Sequence, residues 1–128
     1  MALIKHFREL NVYKVAREET RKIFVRSRNF PVEERYSLTD QIRRSSRAVK
    51  AMIAEAWARR RYRAVFINKI DEALGEATET QSWLDDCQDC GYISAAEFKE
   101  MDAAWQGIGA MLNKMILRAD DFCGTSDR

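Results

Sequence analysis

Hydrophobic residues recur at three- and four-residue intervals through most of the chain, and short polar or glycine-containing segments interrupt the pattern. This spacing is typical of helices that bury one side. It predicts a first helix over residues 12–27 and a second that begins after residue 37 and stops between residues 58 and 61. A third helix then runs to about residue 89, and a fourth begins after residue 94. Strand signals are absent, so the pattern predicts an all-helical chain.

The second predicted helix has the clearest division into faces, and the other helices are expected to pack around it. Its apolar stripe consists of Leu38, Ile42, Ser45, Val49, Met52, Ile53, Ala56 and Trp57. Basic residues occupy the opposite side early in the helix, and alanines (Ala51, Ala54 and Ala58) follow where a solvated helix usually carries Lys, Glu or Gln. Alanine is the best helix former and needs no partner. The alternative is that a helix of another subunit lies against this patch.

The other three predicted helices have comparable stripes. These comprise Val12, Val15, Ala16, Ile23 and Phe24; then Phe66, Ile70, Ala73, Leu74, Ala77, Gln81 and Leu84; and finally Phe98, Met101, Trp105, Ile108, Leu112, Met115 and Ala119. The far side of the third helix carries small residues, among them Gly75. A glycine within a helix is destabilising by about 1 kcal/mol relative to alanine, which suggests that something packs closely there.

Residues typical of helix ends mark the predicted boundaries. Ser37 with Asp40, and Ser94 with Glu97, have the spacing of a capping box, and Asn11 is the expected N-cap of the first helix. Gly91 is expected just beyond the end of the third helix, in the left-handed conformation that glycine tolerates. Between the first two helices, Phe30 and Tyr36 are expected to anchor the connection to the core.

Composition supports the same fold. The 128 residues include one proline and five glycines, which leaves few places for turns. We therefore predict one domain over residues 1–128, folded as an antiparallel up-down-up-down four-helix bundle. Residues 1–10 are expected to form a lead-in and residues 124–128 a frayed tail.

Charge is distributed unevenly along the chain. Residues 1–63 contain 17 Lys and Arg against 7 Asp and Glu, whereas residues 64–128 contain 5 against 13. Either the basic half binds an anionic partner, or the two halves neutralise each other within the bundle or across subunits. The candidate contacts to the phosphates of RNA or DNA are Arg43, Arg47, Lys50, Arg59, Arg60, Arg61 and Arg63.

A longer motif supports a family assignment. Residues 31–61 read PVEERYSLTDQIRRSSRAVKAMIAEAWARRR, and residues 7–16 read FRELNVYKVA. With Phe30, Gly75, Glu79 and the later Gly91-Tyr92-Ile93, these segments resemble the four-helix-bundle family of proteins encoded in intervening sequences of bacterial large-subunit ribosomal RNA. Matching positions are Phe30, Pro31, Glu33, Glu34, Tyr36, Leu38, Gln41, Ile42, Arg43, Arg44, Ile53, Ala54, Glu55, Gly75, Glu79, Gly91, Tyr92 and Ile93. The departures from the family pattern are Ser37, Met52, Ala56 and Glu76.

The resemblance implies a small bundle that tends to form homopentamers and is distantly related to retroelement accessory proteins, which bind a reverse transcriptase. It implies no enzymatic activity. Together with the helical faces, it leads to the hypothesis that Arg44, Glu55 and Glu79 pair where two helices or two subunits meet. The full set of candidate interface residues is Gln41, Arg44, Ala51, Ala54, Glu55, Ala58, Gly75 and Glu79.

Four-helix bundles also host metal sites, which gives an enzymatic alternative. A di-iron centre requires two Glu-x-x-His motifs, and the chain has one histidine, His6. Magnesium needs only oxygen ligands, and glutamates of the third helix (Glu72, Glu76 and Glu79), with Glu55, leave a magnesium-dependent nucleotide hydrolase as the alternative function. The Cys87-x-x-Cys90 pair with Cys123 and His6 has unconvincing spacing for zinc.

No stretch approaches the roughly 20 apolar residues that span a bilayer, and the opening residues MALIKHFREL lack the apolar region of a signal peptide. The sequence thus predicts a cytoplasmic protein with reduced cysteines. We expect a non-enzymatic, self-associating bundle without cofactor or membrane partner. Its expected role is that of a scaffold or a nucleic-acid-associated accessory factor.

Overall fold

Residues 3–124, which the computed structural model describes, form four long helices and a short fifth. The helices are α1 (Asn11–Ser27), α2 (Leu38–Ala58), α3 (Arg63–Asp89), α4 (Ala95–Leu117) and α5 (Ala119–Cys123). Two 3-10 turns, Phe7–Glu9 and Val32–Glu34, precede α1 and α2. Each long helix packs against the next and α1 also contacts α4, so the predicted antiparallel four-helix bundle is confirmed. Residues 125–128 of the predicted tail lie outside the described part.

The core lies between the four long helices and follows the predicted stripes closely. On α2 every stripe residue is buried except Met52, which is half-buried. On α1 the prediction was wrong for Val15, which is 38% exposed, and Phe24 is only partly buried. The reason is angular: the buried side of α1 is centred on Ala16 and Ile23, and Val15 lies more than a quarter turn away from that side.

Two of the predicted helix ends are confirmed. Ser94 Oγ accepts a hydrogen bond from Glu97 N (3.0 Å), and Ser94 N donates to Glu97 Oε1 (2.8 Å), which completes the capping box of α4. Gly91 has φ +77°, and the next residue, Tyr92, donates its N–H to Cys87 O (2.8 Å). The glycine ends α3 and the capping box begins α4 a few residues later.

The beginnings of α1 and α2 differ from the prediction. Ser37 does not cap α2; its hydroxyl donates to Glu34 Oε1 (2.6 Å), which also accepts from Leu38 N (3.4 Å). A carboxylate from the preceding turn therefore takes the capping role. Asn11 is the first helical residue rather than the cap. Tyr36 is 86% exposed and does not anchor the connection, whereas Phe30 packs against the core.

The fourth predicted stripe is divided between two helices. Arg118, with φ −111° and ψ 33°, separates α4 from α5. The bend brings Phe122 of α5 onto Phe66 of α3, with ring centroids 5.7 Å apart, and buries Cys123. The short helix thus closes one end of the core. Within residues 3–124 no helix combines the length and the apolar character needed to cross a membrane.

Candidate nucleic-acid interface

A basic groove of about 800 Å³ runs between α1 and α2. Helical spacing places Lys14, Arg17 and Arg21 along one wall, and Arg47 and Lys50 of α2 along the other. The remaining lining residues are Glu18, Thr20, Phe24 and Ala51. The acidic lining residue, Glu18, is engaged by Arg21 at 2.6 Å, and this hydrogen bond lowers the pKa of the Glu18 carboxyl. The other cations of the groove have no ion-pair partner among the described residues.

Three guanidinium groups surround the ring of Phe24 at one end of this groove. The guanidinium carbons of Arg28, Arg43 and Arg47 lie 4.9, 4.8 and 5.6 Å from the ring centroid. Arg43 Nε also donates to Ser27 Oγ (2.8 Å). Burial, followed by the charges of Arg47 and Arg28, holds the pKa of Arg43 below its usual value. The ring positions these cations, but within residues 3–124 no carboxylate neutralises them.

The structure separates the seven predicted nucleic-acid contacts into two groups. Arg43, Arg47 and Lys50 lie beside α1, whereas the other four belong to the far end of α2, the α2–α3 turn and the start of α3. Contacts within the chain engage these four: Arg59 with Glu55 (3.8 Å), Arg60 over Trp57 (3.9 Å), Arg61 over Tyr62 (5.0 Å) and Arg63 with Asp120 (2.7 Å). Two of these four, Arg59 and Arg63, are thus paired with carboxylates, and none of the four lines the groove between α1 and α2.

Sequence reasoning missed the α1 half of the groove. None of Lys14, Arg17, Arg21 and Arg28 is among the predicted contacts. A signal was present in the chain, since Lys14, Arg17, Arg21 and Arg28 follow three-, four- and seven-residue steps that align them on one side of a helix. What the sequence did not show is that this side lies next to Arg43, Arg47 and Lys50.

Of the predicted group of Arg44, Glu55 and Glu79, Arg44 and Glu79 meet between α2 and α3, whereas Glu55 lies apart from them. Arg44 Nη2 donates to Gln41 Oε1 (2.9 Å) and lies 3.9 Å from Glu79 Oε2, so these residues connect α2 with α3. Glu55 is farther along α2 and contacts Lys69 of α3 at 3.5 Å. The seam between α2 and α3 thus contains two separate ionic clusters.

The predicted small-residue patch has an open outer surface in the protomer. Ala51 and Ala58 are exposed, while Ala54 is half-buried and packs against the core. Gly75 of α3 is exposed, and apart from the adjoining backbone of its own helix no described atom lies within 4 Å of the position that a Cβ would take. Both helices therefore present small side chains on their outer surfaces, and the protomer itself has no need of a glycine at position 75.

The acidic and sulfur-containing candidates are dispersed. Glu72 and Glu55 both contact Lys69, at 3.3 and 3.5 Å. Burial raises the pKa of Glu76, and the neighbouring Glu79 adds to the effect. Burial also raises the pKa of Cys87 to about 12, whereas Cys90 is exposed. In the part of the chain that the structure describes, no three His, Cys, Asp or Glu side chains are arranged to hold a metal ion.

Comparison with known proteins connects this bundle to one family. No curated protein matches the chain. The crystal structure of a protein of unknown function from the S23 ribosomal protein family of Bacteroides thetaiotaomicron is similar, with a TM-score of 0.75 and 29% sequence identity over 83% of this chain and 95% of that one. The family model for 23S rRNA-intervening sequence proteins matches residues 8–114, which contain α1 to α3 and most of α4. The chain therefore belongs to the 23S rRNA-intervening sequence protein family.

Proposed function

We propose that this protein is a non-enzymatic, self-associating bundle that binds RNA or DNA through the groove between α1 and α2. One observation carries the proposal: Lys14, Arg17, Arg47 and Lys50 line a single groove without a carboxylate partner among the described residues. Like charges held together repel one another, and the phosphates of a nucleic acid relieve that repulsion and release counterions. The groove therefore suits a polyanion.

Binding of this kind depends on the phosphate backbone rather than on base sequence. The groove offers flexible lysine and arginine side chains, which contact phosphates, and its aromatic residue Phe24 is already covered by guanidinium groups. Affinity should therefore vary little with sequence and fall steeply as salt is added. Assembly of several protomers, with a homopentamer as the expected state, repeats the groove and increases avidity for a long strand.

No specific observation favours the hydrolase alternative. Three of the four glutamates considered as magnesium ligands lie near cations of the chain itself, Glu72 and Glu55 beside Lys69 and Glu79 at 3.9 Å from Arg44. The Glu55 and Glu72 carboxylates are thus paired across or along the α2–α3 seam, whereas among the described residues Glu76 has no ion pair and Glu79 Oε2 accepts no hydrogen bond.

The test compares two variants that each lose four positive charges. The groove variant replaces Lys14, Arg17, Arg47 and Lys50 by Gln, and the matched control replaces Arg59, Arg60, Arg61 and Arg63. Mobility shifts with single-stranded RNA and duplex DNA are measured at 50 and 200 mM salt. We expect the wild type to bind, with affinity at least about tenfold lower at the higher salt. We expect the groove variant to lose most of this binding and the control to retain it.

Light scattering on both variants separates lost contacts from lost assembly. A wild type that does not bind at 50 mM salt contradicts the proposal. Equal weakening of the two variants would assign binding to general charge rather than to the groove. Greater weakening in the control would place the interface at the α2–α3 turn.

A further inference from the structure

A second, smaller pocket of about 250 Å³ lies at the junction between the end of α1 and the start of α2. Arg28, Arg35 and Arg43 line it together with the hydroxyl residues Ser27 and Thr39, and neither Asp nor Glu takes part in the lining. Arg28 and Arg43 also flank Phe24, so this pocket adjoins the basic groove. Three arginines converge here on one cavity with no carboxylate to neutralise them.

A buried hydroxyl within this lining has no hydrogen-bond partner. Thr39 is 8% exposed, its Oγ1 is inaccessible to solvent, and that atom bonds to no described residue. Buried hydroxyls almost always have partners, because leaving one unpaired is destabilising. Thr39 is also the second residue of α2, where the helix end carries partial positive charge. Thr39 lines the pocket, but its Oγ1 reaches the cavity only when the side chain turns about the Cα–Cβ bond, and a negatively charged acceptor in the pocket would favour that turn.

The neighbouring hydroxyl is already engaged and fixes one of the arginines. Ser27 Oγ donates to Phe24 O (3.0 Å) and accepts from Arg43 Nε (2.8 Å). This bond holds the Arg43 side chain in place, while its two terminal nitrogens make no hydrogen bond to described residues. A guanidinium fixed in this way is prepared for the two-point contact that arginine makes with phosphate oxygens.

We propose that this pocket binds a phosphomonoester, and that its natural source is the 5′-terminal phosphate of a nucleic-acid strand lying in the groove. A phosphomonoester carries nearly two negative charges at pH 7, which suits three arginines better than the single charge of a backbone phosphodiester. A water takes up about 30 Å³ of liquid, so the pocket has the volume of about eight waters, enough for a phosphate and the attached sugar. The assignment to a strand end rests on the proposed function.

Binding of free phosphate is tested first, in thermal unfolding with inorganic phosphate against chloride at equal ionic strength. The variants are Thr39→Val, which has nearly the same shape without the hydroxyl, and Arg35→Gln, on an exposed side chain. Lys99→Gln on α4 is the control for the loss of one charge. We expect phosphate to raise the melting temperature of the wild type and of Lys99→Gln. Its affinity should fall about tenfold in Thr39→Val and Arg35→Gln.

Thr39→Val also provides an internal check on folding. Because it removes an unpaired buried hydroxyl, this variant should be at least as stable as the wild type without phosphate and should lose only the stabilisation by phosphate. The proposal that this pocket binds phosphate is contradicted if chloride stabilises the wild type as much as phosphate does. It is also contradicted if Thr39→Val binds phosphate as tightly as the wild type.

The source of the phosphate is tested with two single-stranded oligonucleotides of one sequence, bearing a 5′-phosphate or a 5′-hydroxyl. We expect the phosphorylated strand to bind about tenfold more tightly, and this preference to disappear in Thr39→Val. Equal binding of the two strands by a wild type that binds inorganic phosphate overturns the strand-end assignment. If neither strand binds while inorganic phosphate does, the proposed nucleic-acid function fails and the phosphate pocket stands.

Discussion

The hydroxyls of Ser45 and Thr80 join α2 to α3 in the middle of the core. Both residues are fully buried, and their oxygens are 2.8 Å apart. Thr80 Oγ1 donates to Glu76 O (2.9 Å), so its single proton is used there and Ser45 donates to Thr80. The alternative acceptor for Ser45, Ile42 O, is 3.4 Å away and makes a weaker bond. Thr80 is therefore the better acceptor for the Ser45 proton.

This asymmetry predicts unequal effects of two substitutions on the free energy of unfolding. Thr80→Val leaves Ser45 with only the long bond and should destabilise by about 1–2 kcal/mol. Ser45→Ala leaves Thr80 bonded to Glu76 O and should cost about 0.5–1 kcal/mol. Replacing both removes the pair without leaving an unpaired group, so the double variant should lose less than the sum. Urea unfolding of the four proteins measures the difference, and additive losses would contradict the assignment.

Individual buried polar residues were the least predictable from sequence. Periodicity placed Ser45 in the core because it lies within an apolar stripe. It selected Gln81 rather than its neighbour Thr80, although Thr80 is the buried one. A polar residue is buried when a partner satisfies it, and here that partner is 35 residues away in the chain. Helical spacing carries no information about such a partner.

At the scale of elements, polar contacts fasten the end of α1 to the start of α4. Arg26 donates through Nε to Glu97 Oε2 and through Nη2 to Tyr92 O, each at 2.7 Å. Tyr92 Oη in turn donates to Glu34 Oε2 (2.8 Å), in the turn before α2. The bond to Glu34 raises the pKa of Tyr92 to about 12, and the bond from Arg26 lowers the pKa of Glu97 to about 2.

The Glu97 contacts predict a pH dependence of stability. The folded pKa of Glu97, about 2, is below its ordinary value of 4.5, so the contacts contribute fully above about pH 4.5 and are lost as the pH falls through 2. Because the side chain is 41% exposed, solvent limits the effect to roughly 1 kcal/mol or less. Denaturant unfolding at pH 5 and pH 2.5 should show a larger loss for the wild type than for Glu97→Gln.

The control for this experiment is Glu100→Gln, which removes an exposed carboxyl of the same helix that has no hydrogen bond among the described residues. Its loss of stability between the two pH values should match that of the wild type. A Glu97→Gln variant that loses as much stability on acidification as the wild type would show that the Arg26–Glu97 contact does not fasten these elements.

The start of α4, whose two capping residues bond each other, was predicted correctly, and the start of α2, whose capping carboxylate also bonds a distant residue, was not. Ser94 and Glu97 are three residues apart and form their capping box locally. Ser37 and Asp40 have the same spacing, but Glu34 occupies the cap of α2 and bonds Tyr92, 58 residues away. A capping motif in the sequence indicates which hydrogen bonds a helix end can form with its own neighbours. It does not state which side chain the folded bundle brings there.

At the scale of the whole molecule, the two explanations for the uneven charge apply to different surfaces. Arg26 with Glu97, Arg44 with Glu79 and Arg63 with Asp120 pair the basic half with the acidic half. The groove between α1 and α2 lies entirely within the basic half and receives no such compensation. The bundle and its charge imbalance could thus be predicted from sequence, whereas the location of the uncompensated charge required the packing of α1 on α2.

Self-association is tested with a pair of matched glycine substitutions. Gly75 of α3 and Gly107 of α4 are both exposed. At both sites a Cβ would have no described atom within 4 Å apart from the adjoining backbone of its own helix. Leucine at either site should therefore leave the protomer folded and stabilise its helix by up to about 1 kcal/mol. If another subunit packs closely over α3, Gly75→Leu blocks that approach and Gly107→Leu does not.

We expect light scattering to give an oligomeric mass for the wild type and for Gly107→Leu, and a smaller mass for Gly75→Leu. Arg44→Ala should act in the same direction as Gly75→Leu. Its contact with Glu79 is long and half-exposed, so its loss should destabilise the protomer by no more than about 1 kcal/mol. A lower mass for a variant that remains folded therefore indicates that Arg44 lies at an interface between subunits. A monomeric wild type, or an unchanged mass for both Gly75→Leu and Arg44→Ala, contradicts self-association through the outer faces of α2 and α3.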